Sequence, residues 1–353
     1  MSKRVAVLGS GANGASIGAD LTRAGVDVVL IDQWPEHVAA MRQNGIRIDM
    51  PGETQTTAVR AYNLCDVCTF TEPFDVVLLL MKAYDTRWAC QLIEPFLKAD
   101  SLVAGVQNGM TTDVIADVVG PQRTMGCVIE ISSTMFDPGV VQRDSPPARS
   151  WFAVGGIDKR VAGREAEVGD LLKHAGTVEY VGDIRASKWM KLVSNCTTLV
   201  TTAILGQSIH SAASTPEIRE IMLRSGQEAF DTGKALGHPS VPIFGMKSED
   251  VRQSNRLVEV LLDTLVKGFT IESTLTTVLQ DWMKGRRSEV DNLNGHVVAE
   301  AGRLGLAMPV NAAIVELAHR IEQGSLKPGP ENFALLQDLI KSKDSDAPAA
   351  TRG

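Results

Sequence analysis

Residues 4–14 read RVAVLGSGANG, a short apolar run that ends in glycines at positions 9, 11 and 14. Residues 15–24, ASIGADLTRA, continue with helical spacing, and residues 28–32, VVLID, form a second apolar run closed by an acid. Strand, glycine turn, helix and second strand in that order make the βαβ unit that holds a dinucleotide. Gly9 permits the tight turn, Gly11 lets backbone N–H groups approach a pyrophosphate, and Gly14 lets the helix pack closely on the strand. The helix N-terminus favours the anionic phosphates. The expected cofactor-binding set here is Gly9, Ser10, Gly11, Ala12, Asn13 and Gly14.

Asp32 stands where a carboxylate accepts hydrogen bonds from the adenosine ribose, and its charge repels the 2′-phosphate that marks NADP. Gln33 and Trp34 supply no cation for that phosphate. The residues favour NAD(H) and leave NADP(H) open. A plainer reading also stands: Asp32 caps a helix that starts at Pro35.

The chain has 353 residues, 44% hydrophobic and 22% charged, with a net charge of −7. That is a globular composition, long enough for two domains. The charge offers no broad basic face to nucleic acid, and no zinc-finger spacing is found. Apolar runs such as Val76–Met81 are far shorter than a bilayer span, and Met1–Arg4 lead into a strand without a leader segment. A soluble, cytoplasmic protein is expected. Five cysteines, at 65, 68, 90, 127 and 196, make no disulfide framework. Cys65 and Cys68 form a CxxC in a strand-like stretch, with no second pair or histidines at metal spacing. Reduced thiols and no metal are expected.

Further along, Asp75–Met81, Leu102–Val106 and Thr124–Glu130 read as strands separated by helical stretches, which implies a Rossmann-type, doubly wound, mostly parallel sheet. Residues 45–63 read as a hairpin around Pro51-Gly52. A second hairpin follows Asp137-Pro138-Gly139, with strands near Val140–Arg143 and Trp151–Val154. After a last strand near Val178–Val181 the pattern turns helical: Ala186–Leu205, Pro216–Leu236, Val251–Val266, Leu275–Lys284, Glu289–Leu304 and Asn311–Gln323. The expected division is a dinucleotide-binding domain over 1–182, an all-helical domain over 183–340 for substrate and dimerisation, and a disordered tail over 341–353. The apolar helices after Pro216 suggest a homodimer.

In the first helix of the second domain, Lys191, Asn195, Thr198 and Thr202 recur at i, i+4, i+7 and i+11, one polar stripe on an apolar helix. Reducing a ketone puts negative charge on its oxygen, and a positioned ammonium both holds that charge and delivers the proton. Lys191 is the candidate. Asn195, one turn away, offers a donor and an acceptor to the substrate. The alternative is a surface lysine beside a buried, satisfied asparagine. Lys188 is the competing lysine, expected to be solvated.

These pieces resemble the ketopantoate reductase family. The match runs through the Gly9 turn, Lys82-Ala83, Gln107-Asn108-Gly109-Met110, Lys191-Leu-Val-Ser-Asn195-Cys196, Leu279-Gln280-Asp281, and Ser288-Glu289-Val290-Asp291-Asn292-Leu293-Asn294-Gly295, in order, over residues 1 to about 325. The resemblance implies a Rossmann domain joined to an all-helical domain with substrate in the cleft. It implies Lys191 as general acid, Glu289 near substrate and cofactor, Asn195 on the substrate, and Lys82 and Asn108 on the cofactor. Thr277 stands where the family has a serine that holds the substrate carboxylate. Glu289 also reads as a first-turn acid behind a Ser288 cap, serving only the helix dipole.

The chain departs from the pattern in three places. Leu199 and Ile209 replace asparagines of the enzyme for pantothenate synthesis. Asp32 and Gln33 replace the basic residue of the NADP-binding members. Glu130-Ile131-Ser132-Ser133 replaces a small, neutral segment, and Glu130 is either near the cofactor or an exposed loop charge. The expected function is hydride transfer between a nicotinamide cofactor and a small 2-oxo acid/2-hydroxy acid pair. The rivals are a genuine NADPH-dependent 2-dehydropantoate 2-reductase and a non-catalytic NAD(H)-binding redox sensor.

Overall fold

A computed structural model of the chain describes residues 3–252 and 256–346. The chain forms two compact units that divide after Lys188, a turn into the helix that follows Gly182.

The described part of the first unit holds twelve strands: β1 (Arg4–Leu8), β2 (Asp27–Asp32), β3 (Ile46–Met50), β4 (Glu53–Thr57), β5 (Ala61–Asn63), β6 (Phe74–Leu79), β7 (Leu97–Val106), β8 (Thr124–Glu130), β9 (Ser133–Thr134), β10 (Val140–Arg143), β11 (Trp151–Gly156) and β12 (Thr177–Tyr180). Eight of them form one sheet in the order β12-β11-β8-β7-β6-β1-β2-β5. Every pairing in it is parallel except β11 with β8. Alternate residues serve opposite faces: Val5, Val7, Val28 and Leu30 join one buried cluster, and Ala6, Leu8, Val29 and Ile31 the other. Burial on both faces explains why these strands read as unbroken apolar runs. From β1 the chain winds outward through β2 to β5, then returns to β6 and winds the other way. The order therefore reverses between β1 and β6, where a doubly wound sheet takes its ligand.

The expected β3–β4 hairpin forms. The second expected hairpin does not: β10 lies in a separate four-stranded sheet, order β4-β3-β10-β9, while β11 pairs with β8 in the main sheet. A buried Arg143 at the end of β10 explains the parting. Its guanidinium bonds Asp20 (2.6 Å), Ser145 O (2.8 Å) and Ala175 O (2.7 Å), fixing the chain before it turns into β11. The Cys65–Cys68 stretch, read as strand-like, is a 3-10 helix, Leu64–Thr69, begun by a reciprocal Asn63–Asp66 capping box.

The described part of the second unit is all helical, with Pro216–Ala235, Leu257–Gly268, Thr277–Met283, Asn294–Arg303, Pro309–Glu322 and Asn332–Asp346 as its main helices. The expected Val251–Val266 helix is broken: one helix is Ser248–Arg252, and Arg256 caps the next in a non-helical conformation. The tail expectation fails for Lys341–Asp346, which continue the last helix. Buried Leu336 and Ile340 seat that helix, and Arg224–Asp344 and Lys343–Glu316 ion pairs (3.0 and 2.9 Å) hold its final turns. Residues 347–353 of the expected tail lie outside the described residues. Among the described residues no helix is long and apolar enough to cross a membrane.

Candidate active site

In the first unit the glycine turn is fixed from below by strand hydrogen bonds, Gly9 N to Ile31 O at 2.9 Å and Leu80 N to Leu8 O at 2.8 Å. Gly9 has φ +98°, and a Cβ there would lie 2.6 Å from Met81 N. A Cβ on Gly14 would lie 2.0 Å from Gly9 O. Both glycines are demanded by the fold itself. Gly11 differs: it is the N-cap of the Ala12–Arg23 helix, and a Cβ there would meet nothing within 4 Å. Nothing among the described residues requires a glycine at 11, so the space its Cβ would fill suits a pyrophosphate brought to the helix N-terminus.

The other loop residues brace this cradle. Buried Ser10 gives its hydroxyl to Ile31 O (3.3 Å), and Asn13 Oδ1 accepts from Ser133 Oγ (2.6 Å). Ser10 O is held by His37 Nε2 at 2.8 Å, while His37 Nδ1 accepts from Gly139 N–H at 2.9 Å. Because Nδ1 faces a donor, the hydrogen sits on Nε2 and the fully buried ring is neutral. Sequence reading missed His37, since no local pattern links it to positions 10 and 139.

Asp32 ends β2, nearly buried, and its Oδ1 accepts from Trp34 N at 2.9 Å. The helix does begin at Pro35, with Trp34 as its N-cap. One carboxylate oxygen therefore serves the chain. Lys82 and Asn108, half-buried, follow β6 and β7. Gln107 ties the two strand ends, its Nε2 donating to Met81 O (2.6 Å) and Thr86 Oγ1 (3.1 Å).

Lys188 corrects an expectation. It is not solvated but 2% exposed, and its ammonium donates to Gln107 O (2.8 Å) and Cys127 O (3.3 Å). It pins the residue before Asn108 and the middle of β8. Glu130 likewise is no exposed loop charge: it is a buried β8 residue in register with Trp151.

In the second unit Lys191 and Asn195 lie one turn apart on Ile184–Ile204, and both are buried. The surface-lysine alternative falls. Lys191 Nζ sits 4.9 Å from the centroid of the Phe244 ring, and Phe244 packs on Phe269 at 5.4 Å. Phe244 has φ +61°, the one non-glycine residue in the left-handed region among the described residues. Such strain persists only where surroundings impose it, and it gathers at functional sites. Further down the stripe, Thr198 and Thr202 turn their hydroxyls back to Ser194 O (2.9 Å) and Thr198 O (2.7 Å). They serve the helix rather than a ligand.

Thr276 caps the Thr277–Met283 helix and donates its hydroxyl to Leu199 O at 3.2 Å, which fixes this helix start on the Lys191 helix. The Thr277 hydroxyl oxygen is buried and has no partner among the described residues. Glu289 is buried and precedes the 3-10 turn Val290–Asn292. Ser288 does not cap it: its N–H (2.9 Å) and hydroxyl (2.6 Å) both go to Glu322 Oε1. The reading of Glu289 as a first-turn acid behind a Ser288 cap does not fit that geometry.

A buried polar network links the two segments. Ser225 donates to Cys196 O (2.9 Å), Asn311 Nδ2 to Ser225 O (2.9 Å) and to Glu228 (2.7 Å), and Asn294 Nδ2 to Asn311 Oδ1 (2.8 Å). The carbonyl next to Asn195 is thus joined to the Asn294 that follows Glu289. Burial raises the Glu228 carboxyl above its ordinary range, opposed by the Asn311 and Val310 N–H groups.

A glycine cradle at the reversal of a doubly wound sheet, with an all-helical unit holding a buried lysine, defines an NAD(P)-dependent oxidoreductase of CH–OH and C=O groups. The family model described as "Ketopantoate reductase PanE/ApbA" matches residues 5–155, and its C-terminal counterpart matches 183–322. The chain belongs to the ketopantoate reductase family. It is 25% identical over 328 residues to the 2-dehydropantoate 2-reductase of Lactococcus lactis subsp. lactis, covering 91% of this chain and 98% of that one. It is 26% identical over 326 residues to the Archaeoglobus fulgidus enzyme of the same name, covering 91% and 99%. Among solved structures, the PanE/ApbA family ketopantoate reductase of Ralstonia eutropha JMP134 matches with a TM-score of 0.74 at 25% identity, covering 91% and 99%. D-mandelate dehydrogenase with NADH and anilino(oxo)acetate shares the fold, with a TM-score of 0.80 at 20% identity over 91% and 99%.

Proposed function

We propose that the protein interconverts a 2-oxo acid and its 2-hydroxy acid, with Lys191 exchanging the proton at the C2 oxygen. The observation that carries this reading is the seat of Lys191, an ammonium 8% exposed against the face of Phe244. Away from bulk water its attraction for a developing alkoxide is strengthened. A bound nicotinamide supplies or takes the hydride. Lys191 holds the charge on the oxygen and hands over the proton. Asn195 orients the substrate through its amide. Thr277 offers its unpartnered hydroxyl to the substrate carboxylate. Glu289 is assigned as a carboxylate near substrate and cofactor.

On the cofactor side the reading gives the pyrophosphate to Gly11 and its neighbours, the ribose to Asp32, and further contacts to Lys82 and Asn108. Asp32 favours NAD(H) over NADP(H). Phe244, Phe269 and the half-buried Leu199 favour a substrate with an apolar side chain. A second reading, 2-dehydropantoate 2-reductase with NADPH, is favoured by the names of the relatives that match along most of the chain. A homodimer through the helices after Pro216 belongs to both readings and is measured by gel filtration with light scattering.

Steady-state kcat/KM for ketopantoate and for 2-oxo acids with aliphatic and aromatic side chains, each with NADH and with NADPH, tests the proposal. The expected best pair is an apolar 2-oxo acid with NADH. A clear maximum for ketopantoate with NADPH establishes the second reading instead, and no turnover with any pair removes both.

A further inference from the structure

Leu64–Thr69 is a six-residue 3-10 helix carrying two cysteines that the proposed chemistry does not use. In such a helix three residues make one turn at about 2.0 Å rise each, so residues i and i+3 eclipse with Cα atoms about 6 Å apart. Disulfides span Cα separations of roughly 4.4–6.8 Å. Cys65 and Cys68 are such a pair, and both are exposed. The Cys68 thiol already leans back along the turn, donating to Cys65 O at 3.1 Å. Cys90, Cys127 and Cys196 are buried. Burial pushes the Cys90 and Cys127 thiols up to about 12 and raises that of Cys196 as well, so these three stay protonated and out of reach.

We propose that Cys65 and Cys68 are a modification site that closes into a reversible disulfide by exchange with a small-molecule disulfide, and that closure acts on the adenosine end of the dinucleotide site. One cysteine thiolate attacks the small disulfide, forming a mixed disulfide and releasing one small thiol. The second thiolate attacks the protein-side sulfur and displaces the other. The pair loses two electrons and two protons. The small disulfide gains both and leaves as two thiols.

The route to the cofactor site is short. β5 runs straight into this helix, and its last residue, Asn63, is the register partner of Asp32. Asp66, between the cysteines, accepts from Asn63 N at 2.8 Å and from Arg42 at 2.5 Å, while Arg42 Nε holds Ala61 O at 2.8 Å. Closure must draw the Cys68 sulfur off the Cys65 carbonyl and pull on this clamp. The coupling rests on reading Asp32 as the ribose acceptor; the disulfide does not.

The full reduced chain is incubated with glutathione disulfide and its free thiols are counted after denaturation. The five thiols should fall to three, with an intact mass lower by about 2 Da, reversed by dithiothreitol. Cys65→Ser and Cys68→Ser should each retain a glutathione, a gain of about 305 Da. The KM for NADH should rise several-fold in the oxidised protein at unchanged kcat, and should not move in the doubly substituted chain. Five thiols remaining, or a glutathione adduct as lasting as in the single variants, overturns the disulfide. A disulfide that leaves the KM unmoved overturns the coupling. Asp32→Ala with unchanged NADH KM removes the ribose reading alone, leaving the thiol and mass results standing.

Discussion

In the Gly9–Gly14 turn the groups offered to a ligand are backbone N–H groups, and their positions follow from the lack of side chains at 9 and 14. In the Lys191 helix the offered groups are side chains, and their positions depend on partners far along the sequence: Phe244 under the ammonium, Ser225 on the carbonyl next to Asn195. The first arrangement is local and steric. The second is assembled from long-range polar and aromatic contacts. The first should fail abruptly when one atom is added. The second should lose catalysis before it loses its fold.

The largest expected effect sharpens that contrast. Lys191→Met should lower kcat by about 10²–10⁴ while NADH still binds, because the lost group acts on the developing charge. Single-turnover rates and fluorescence titration measure the two, and near-normal turnover would refute the assignment. Next are two alanines in one turn. Gly14→Ala drives a Cβ into Gly9 O and should destabilise the first unit by about 1–3 kcal/mol or more. Gly11→Ala should cost under about 1 kcal/mol, as a poorer N-cap, and yet abolish dinucleotide binding. Thermal melts with and without NADH distinguish these outcomes.

Asp32→Ala removes a charge-assisted acceptor and should raise the NADH KM about tenfold, with NADPH gaining relative to NADH. The kcat/KM ratio of the two cofactors reports it. The smallest effect concerns Glu228, whose carboxyl burial raises above the ordinary 4.5. A raised carboxyl makes the folded state the better proton binder, so its contribution is full below 4.5 and is lost as pH climbs through the folded value. Denaturant unfolding across that range should show stability falling with pH, and Glu228→Gln should lack the slope.

The two regions also differ in how far the sequence discloses them. Gly9, Gly11, Gly14 and Asp32 lie within one βαβ unit, where spacing alone specifies the turn and the strand end. Lys191 and Asn195 were visible as a helical stripe, but spacing could not say whether the stripe faced solvent. It was silent on Phe244, Ser225 and Asn311, whose partners lie far away in the chain. A lysine on a helix is usually solvated, so spacing alone leaves Lys188 in water, whereas the carbonyls of Gln107, just after β7, and Cys127, within β8, give it buried acceptors. β10 and β11 were joined by a turn signal that a buried arginine overrides. The Asn332–Asp346 helix went unread, and a tail was expected from Lys341 because no apolar periodicity runs on from there, while ion pairs hold the final turns of that helix.

The neutral His37 ring, spanning Ser10 O and Gly139 N, bears on how this sequence can drift. A replacement must present a donor at one end and an acceptor at the other, the width of an imidazole apart. Asparagine is too short and the aromatic hydrocarbons offer neither group, so position 37 is free to vary only alongside the turn at 139. In a collection of natural or selected variants, the two positions should therefore change together.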